Sequence, residues 1–130
     1  MEYKHSKLTR SIIGSAIEVH KELGPGLPEK LYQNALLLDL AEKGHTVKCE
    51  QEIDVYFKGQ FIGTFRLDII VDNTVIVELK AVTGDMPKIF HSQIITYLKT
   101  SKKEVGLLIN FGNPSIEVKR FANYSDYHSV

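Results

Sequence analysis

A chain of 130 residues, 43% hydrophobic and 25% charged, has the size and make-up of one globular domain that buries roughly two-thirds of the surface its unfolded chain exposes. Sixteen basic and sixteen acidic residues cancel, so no overall positive field marks a nucleic-acid binder, and any phosphate affinity has to come from a local patch. One cysteine, Cys49, excludes an internal disulfide and a multi-cysteine metal site, and the lack of a signal-peptide pattern or of any apolar run near the roughly 18–20 residues that span a bilayer points to the cytoplasm.

Residues 1–6 are polar and expected to be loosely ordered. From Leu8 to Glu22, apolar residues recur at Leu8, Ile12, Ala16 and Val19, continuing to Leu23, a helical spacing that Gly24-Pro25-Gly26 ends. A second helix is expected from Pro28, whose missing N–H costs nothing there, to Lys43, with Gly44 as its left-handed cap. Leu31, Ala35, Leu36, Leu38 and Leu40 are its expected buried side. Thr46 to Phe57 alternates as a strand, with Cys49 expected in the core. Lys58-Gly59-Gln60 signals a hairpin, and Phe61 to Val71 is the returning strand.

Asp72-Asn73 turns the chain into Thr74–Lys80, which reads as a further buried strand. Pro87 opens a third helix ending near Thr100, with apolar positions Ile89, Phe90, Ile94, Tyr97 and Leu98. Val105 to Asn110 is a short apolar strand, and Ile116 to Phe121 a last one. The order α-α-β-β-β-α-β-β describes one α/β domain with a mixed sheet.

Charge at the end of the Thr74–Lys80 strand is the anomaly. Side chains alternate on a strand, so Glu78 and Lys80 share a face about 6–7 Å apart, beyond an apolar run. Asp68 lies inside the apolar run of the preceding strand. Residues directly opposite in an antiparallel pair point to one face. A turn that sets Val71 opposite Val75 puts Asp68 opposite Glu78 and Arg66 opposite Lys80. This register is expected, with all four charges in one patch.

Two chemistries fit such a patch. The charges can form cross-strand ion pairs. Alternatively, two converging carboxylates, which repel unless a proton or cation joins them, hold a hard divalent cation, and the lysine orients a water or stabilises phosphoryl charge. The second arrangement is a phosphodiester-cleaving centre.

Asp68, nine residues, then Glu78-Leu79-Lys80 resembles the motif of the PD-(D/E)xK nuclease superfamily. Gly26, Glu29 and Tyr32, within Gly24-Pro25-Gly26-Leu27-Pro28-Glu29-Lys30-Leu31-Tyr32, resemble the signature of the GxxExxY protein family within it. The resemblance extends through Glu18-Val19-His20, Phe65–Asp68, Val77–Val82, Gln93–Leu98 and Gly106–Gly112, covering about residues 8–121 of a single domain, 1–130. One departure is Leu67, where the motif's proline would stand.

The resemblance implies a restriction-endonuclease-like mixed β-sheet core flanked by helices. It implies Mg²⁺ or Mn²⁺ on Asp68 and Glu78, with the Leu79 carbonyl and Glu29 as further ligands, and Lys80 as catalytic lysine. Gln93 and Tyr97 match the helical Gln-x-x-x-Tyr of some branches, and an i, i+4 pair shares one helix face. The expected activity is metal-dependent phosphodiester hydrolysis in nucleic acid, DNA ahead of RNA, with a homodimer compatible with one small site cutting one strand. The alternative is a non-catalytic nucleic-acid-binding or accessory module that keeps the fold, which the neutral net charge suits.

Other polar residues carry less. His20 ends a helix, where positive charge is welcome, and is expected to cap or pack. His5, His45, His91 and His128 show no ligand spacing. Lys88, Lys99, Lys102, Lys103, Lys119 and Arg120 form either a basic rim or a solvated surface.

Overall fold

A computed structural model describes residues 4–123. The elements, in chain order, are α1 (Ser6–Leu23), α2 (Glu29–Glu42), β1 (Val47–Phe57), β2 (Gln60–Val71), β3 (Val75–Lys80), α3 (Ile89–Ser101), β4 (Val105–Asn110) and β5 (Glu117–Ala122). This is the expected order. The five strands lie in the order β1-β2-β3-β4-β5. Among the described residues only β3 and β4 pair in parallel, and α3 is the crossover such a pair requires.

Helices cover both faces. Ile12, Ala16 and Val19 of α1 and Tyr32, Leu36 and Leu40 of α2 pack with Ile69, Val71, Val75, Val77 and Leu79 on one side. On the other, α3 sets Leu98 against Ile70 and Ile76, and Ile94 against Leu108. Strand β4, covered twice, is buried at all six positions, which is why its sequence shows no alternation.

Several expected core positions lie at the surface. Leu31 and Leu38 are exposed on α2, where Tyr32 and Gln33 take buried places instead. Ile89 is exposed in the first turn of α3. Cys49 is exposed on β1, an edge strand that neither helix layer covers at that point. Residues 1–3 and His128 lie outside the described residues, but Lys4 and His5 are not loose: both hold Glu104, at 2.9 and 3.2 Å.

His45 also has a role that its spacing did not show. Its Nδ1 lies 2.8 Å from Asp72 Oδ2 and its Nε2 2.8 Å from Ser11 Oγ. The order of groups is that of a serine hydrolase relay, but Ser11 sits inside α1, where backbone N–H groups are spent on the helix and none is left for an oxyanion. The three residues stitch α1, the α2–β1 connection and the β2–β3 turn together.

Candidate active site

The β2–β3 ladder pairs Val71 with Val75, Ile70 with Ile76 and Ile69 with Val77, the expected register, and stops there. At the next position, side chains replace backbone rungs. The Asp68 N–H donates to Glu78 Oε1 at 3.1 Å, and the Leu79 N–H donates to Asp68 Oδ2 at 2.9 Å. The two carboxylates therefore converge, each with one oxygen committed to the other strand. Because the ladder ends early, Arg66 does not reach Lys80 as the extrapolated register required. Its side chain is 67% exposed, 4.0 Å from Glu52.

Strand β2 also changes phase at Asp68. Phe65 and Leu67 pack in the Leu98–Tyr97 cluster, whereas Ile69 and Val71, of the same parity, pack against α1 and α2. Glu50, across from this point on β1, has the left-handed φ of 52°. The break leaves Asp68 half-buried at the point where β2 and β3 part.

Electrostatics draw further residues in. Glu78 is 7% exposed, and its carboxyl is pushed up to about 8, first by burial and then by the Asp68 charge, with Lys80 pulling the other way. Glu29, at the first position of α2, is also raised, by burial and then by Asp68, again opposed by Lys80. The Tyr97 hydroxyl is raised by burial, Glu78 and Asp68. Glu29, Asp68, Glu78, Lys80 and Tyr97 thus sense one another from α2, β2, β3 and α3. Gln93 does not join them: it is exposed and makes no hydrogen bond among the described residues.

Aromatic rings fix two members. The Lys80 Nζ lies 4.1 Å from the centre of the Phe90 ring, and Tyr97 stacks on Phe65 at 4.5 Å. Tyr32 acts from below. Its hydroxyl donates to the Gly24 carbonyl and accepts from the Leu27 N–H at 3.1 Å, closing the turn that leads to Glu29. Its buried ring stacks at 4.6 Å on Phe111, whose N–H donates to the Lys80 carbonyl at 2.9 Å. One side chain thereby ties the Glu29 turn to the end of β3.

The loop after Lys80 is held by two asparagines. Buried Asn110 accepts from the Val82 and Gly112 N–H groups, at 2.9 and 3.0 Å, and donates to the Val82 carbonyl at 3.0 Å. Asn113 makes a matching pair of bonds to Gly84. Gly112 permits this approach, since a Cβ there would overlap the Val82 backbone. The His20 Nε2 donates to the Asn113 carbonyl at 2.8 Å, so His20 packs, as expected.

Sequence reasoning missed Gln33, which is 6% exposed, its Nε2 3.4 Å from the Asp68 carbonyl oxygen. Its signal was the i, i+4 spacing from Glu29. Lys99, Lys102 and Lys103 line a cavity of about 520 Å³ with Glu104 and Asn123. Lys103 bonds Asn73 in the β2–β3 turn, so this basic surface lies at the opposite end of β3 from Lys80.

Among the described residues no three His, Cys, Asp or Glu side chains gather as a ligand set, leaving Asp68 and Glu78 as a pair. That suits Mg²⁺, which retains waters and is commonly held by one or two carboxylates. Asp68 Oδ1 and Glu78 Oε2 remain uncommitted by backbone bonds, and a second positive charge in place of the Glu78 proton answers the repulsion.

The sequence model of the PD-(D/E)XK nuclease superfamily matches residues 6–121. The crystal structure of SSO0001 superposes with a TM-score of 0.57 at 19% identity, a likeness of fold. It covers 92% of this chain, which in turn spans 60% of that one. Among curated proteins, none matches this chain. No described helix is long and apolar enough to cross a membrane.

Proposed function

The chain belongs to the PD-(D/E)XK nuclease superfamily. From that membership we propose that it is a metal-dependent nuclease that hydrolyses phosphodiester bonds, in DNA ahead of RNA, and we place it in the cytoplasm. Gly26, Glu29 and Tyr32 assign it, on this reading, to the GxxExxY branch. The observation that carries the activity is the Asp68–Glu78 pair, two carboxylates from adjacent strands with the buried one pushed up to about 8.

Asp68 and Glu78 would hold the ion. The Leu79 carbonyl supports them, because a strand residue's C=O points to the same edge as its N–H, and that N–H already faces Asp68. Bound there, Mg²⁺ or Mn²⁺ supplies charge stabilisation at the scissile phosphate and acidifies a water. Lys80, with its ammonium against Phe90, orients that water and offsets the charge of the attacked phosphate. Glu29, raised by burial and by Asp68, accepts or relays the water's proton; it does not gather with Asp68 and Glu78 as a third ligand and would act on the ion only through a water. Tyr97 donates a hydrogen bond toward the carboxylates or a phosphate oxygen, and Gln93, one turn earlier, meets the substrate from solvent. Two copies acting together would cut both strands of a duplex.

The test is cleavage by purified protein with Mg²⁺ or Mn²⁺. Asp68→Ala and Lys80→Ala are expected to abolish cutting with the circular dichroism spectrum unchanged. Variants that cut like the wild type overturn the mechanism. The neutral net charge favours the second reading, an accessory binding module, which predicts nucleic-acid binding with no cutting under any metal.

A further inference from the structure

The β1–β2 hairpin runs well past the sheet that it belongs to. Strand β3 ends at Lys80 and its ladder with β2 at Ile69, yet β2 and β1 stay paired to the Phe57–Gln60 rung. At about 3.4 Å per residue, Phe61 lies about 24 Å along the ribbon from Asp68. The ribbon leaves the sheet at the end that carries Glu78 and Lys80, since β2 is antiparallel to β3. Its lower part is supported, with Ile53 and Phe65 packed in the cluster of Leu98 and Tyr97. Its tip is not.

That tip is apolar and open. Tyr56, Phe57, Phe61 and Ile62 are 61%, 61%, 58% and 63% exposed. Tyr56 and Phe61 meet edge to face at 5.9 Å, and Lys58 lies 5.5 Å from the centre of the Phe57 ring. Lys58 and Gly59 both take positive φ, 52° and 76°, in the tight turn that joins the two strands. Tyr56 and Phe61 are directly opposite and share one face of the arm, while Phe57, opposite Gln60, lies on the other. Exposed rings on a two-stranded arm do not stabilise the fold, and the Tyr56–Phe61 pair with its apolar surroundings marks a contact surface.

Charge narrows the occupant. Over residues 51–66 the ribbon carries Glu52 and Asp54 against Lys58 and Arg66, so it is neutral. A β-ribbon entering a duplex groove passes between two phosphate walls and needs net positive charge. A single strand can instead turn its bases to the rings and its phosphates to solvent, and base–aromatic stacking tolerates any sequence.

We infer that the hairpin tip is a base-stacking platform for a single-stranded segment of the nucleic acid whose phosphodiester occupies the Asp68–Glu78 site. The inference rests on the nuclease reading, and it names that reading's substrate as a strand with an unpaired segment. The span of about 24 Å corresponds to at most about seven stacked nucleotides at 3.4 Å each. Substrates too short to reach the tip should ignore it.

The experiment uses the full chain, a labelled mixed-sequence 15-nucleotide DNA and the blunt-ended duplex it forms with its complement, with binding read by fluorescence anisotropy in EDTA. Tyr56→Ala and Phe61→Ala are each expected to weaken single-strand binding by about 5- to 150-fold, with Phe61→Trp restoring it and duplex binding little changed. Hydrolysis of bis(p-nitrophenyl) phosphate with Mn²⁺ should be the same in all three tip variants and the wild type. Unchanged single-strand affinity, an absence of single-strand binding by the wild type, or equal loss for single strand and duplex overturns the platform. So does a fall in molecular mass by light scattering with affinity retained, which would make the tip a contact between copies. Failure of the small diester to be hydrolysed in an Asp68-dependent way overturns the nuclease reading instead, so the two failures are told apart.

Discussion

The Asp68 N–H donates to Glu78 Oε1 at 3.1 Å while the Leu79 N–H donates to Asp68 Oδ2 at 2.9 Å, so two acids replace the next rungs of the β2–β3 ladder. A sheet that continued would have satisfied both N–H groups with carbonyls and kept the carboxylates apart. Here the carboxylates are drawn together by the bonds that end the ladder. The repulsion this creates falls on Glu78, and it ties the stability of the protein to pH.

Without metal, stability is expected to fall as pH rises from about the ordinary carboxyl value of 4.5 to about 8. In that window folded Glu78 keeps a proton that the unfolded chain has released, so the folded state binds more protons and loses ground with rising pH. Glu29, also raised, adds to the trend. Asp72 and Glu104 are lowered by their partners, and they act in the opposite sense only in acid, where stability falls as they protonate. Urea midpoints measured from pH 4 to 9 should therefore peak near the acidic side of neutral. Glu78→Gln should flatten the alkaline limb, leaving the midpoint near pH 5 almost unmoved while abolishing cutting. A limb that stays as steep in the variant assigns the dependence elsewhere.

Mn²⁺ or Mg²⁺ should stabilise the protein, and more at pH 8 than at pH 6, because a cation competes with the Glu78 proton. A ligand at one hundred times its dissociation constant adds about 2.7 kcal/mol. Differential scanning calorimetry should show the rise in Tm in the wild type and its loss in Glu78→Ala. Equal rises in both would place the ion away from this pair.

Tyr32 is expected to position the site from a distance. Tyr32→Phe keeps the stack on Phe111 but leaves the Gly24 carbonyl and the Leu27 N–H without the hydroxyl, at a cost of about 1–3 kcal/mol in urea unfolding. The turn ahead of Glu29 loosens with it, so kcat should fall while KM changes little. Tyr32→Ala, which also empties a fully buried ring position, should lose about 3–5 kcal/mol. A Tyr32→Phe variant with normal stability and kcat would reduce this residue to core filling.

Much of this was legible in the sequence, and for stated reasons. Helices, strands and the Val71–Val75 register follow from periodicity and turn chemistry, which are local. Asp68 and Glu78 stood out because charge inside an apolar run is costly. What stayed hidden depended on where strands part. Arg66 was assigned to the patch by extending a ladder that stops at Ile69. Leu31 and Leu38 were given to the core because α2 is leucine-rich nearly all round, so composition could not tell which stripe meets the sheet. Gln33 and Asn110 were passed over because a buried amide looks like any polar residue until its partners, 28 to 35 residues away, are known.

Phe90 is expected to set the position of the Lys80 ammonium. Its ring centre lies 4.1 Å from Nζ, a cation–π contact of the kind worth about 0.5–2 kcal/mol. Phe90→Leu keeps apolar contact with the Met86–Ile94–Leu108 cluster, so stability should change by less than about 1.5 kcal/mol. The lysine loses the ring face that holds it near Glu78. Cutting with Mg²⁺ should fall about 2- to 30-fold in kcat, which is the rate equivalent of that contact, whereas Lys80→Ala should remove cutting altogether. Ile89→Ala, one residue away and exposed, is the control and should leave both readouts unchanged. If Phe90→Leu and Ile89→Ala behave alike, the ring packs against the lysine without positioning it, and the orientation of Lys80 is set by the Phe111–Lys80 backbone bond alone.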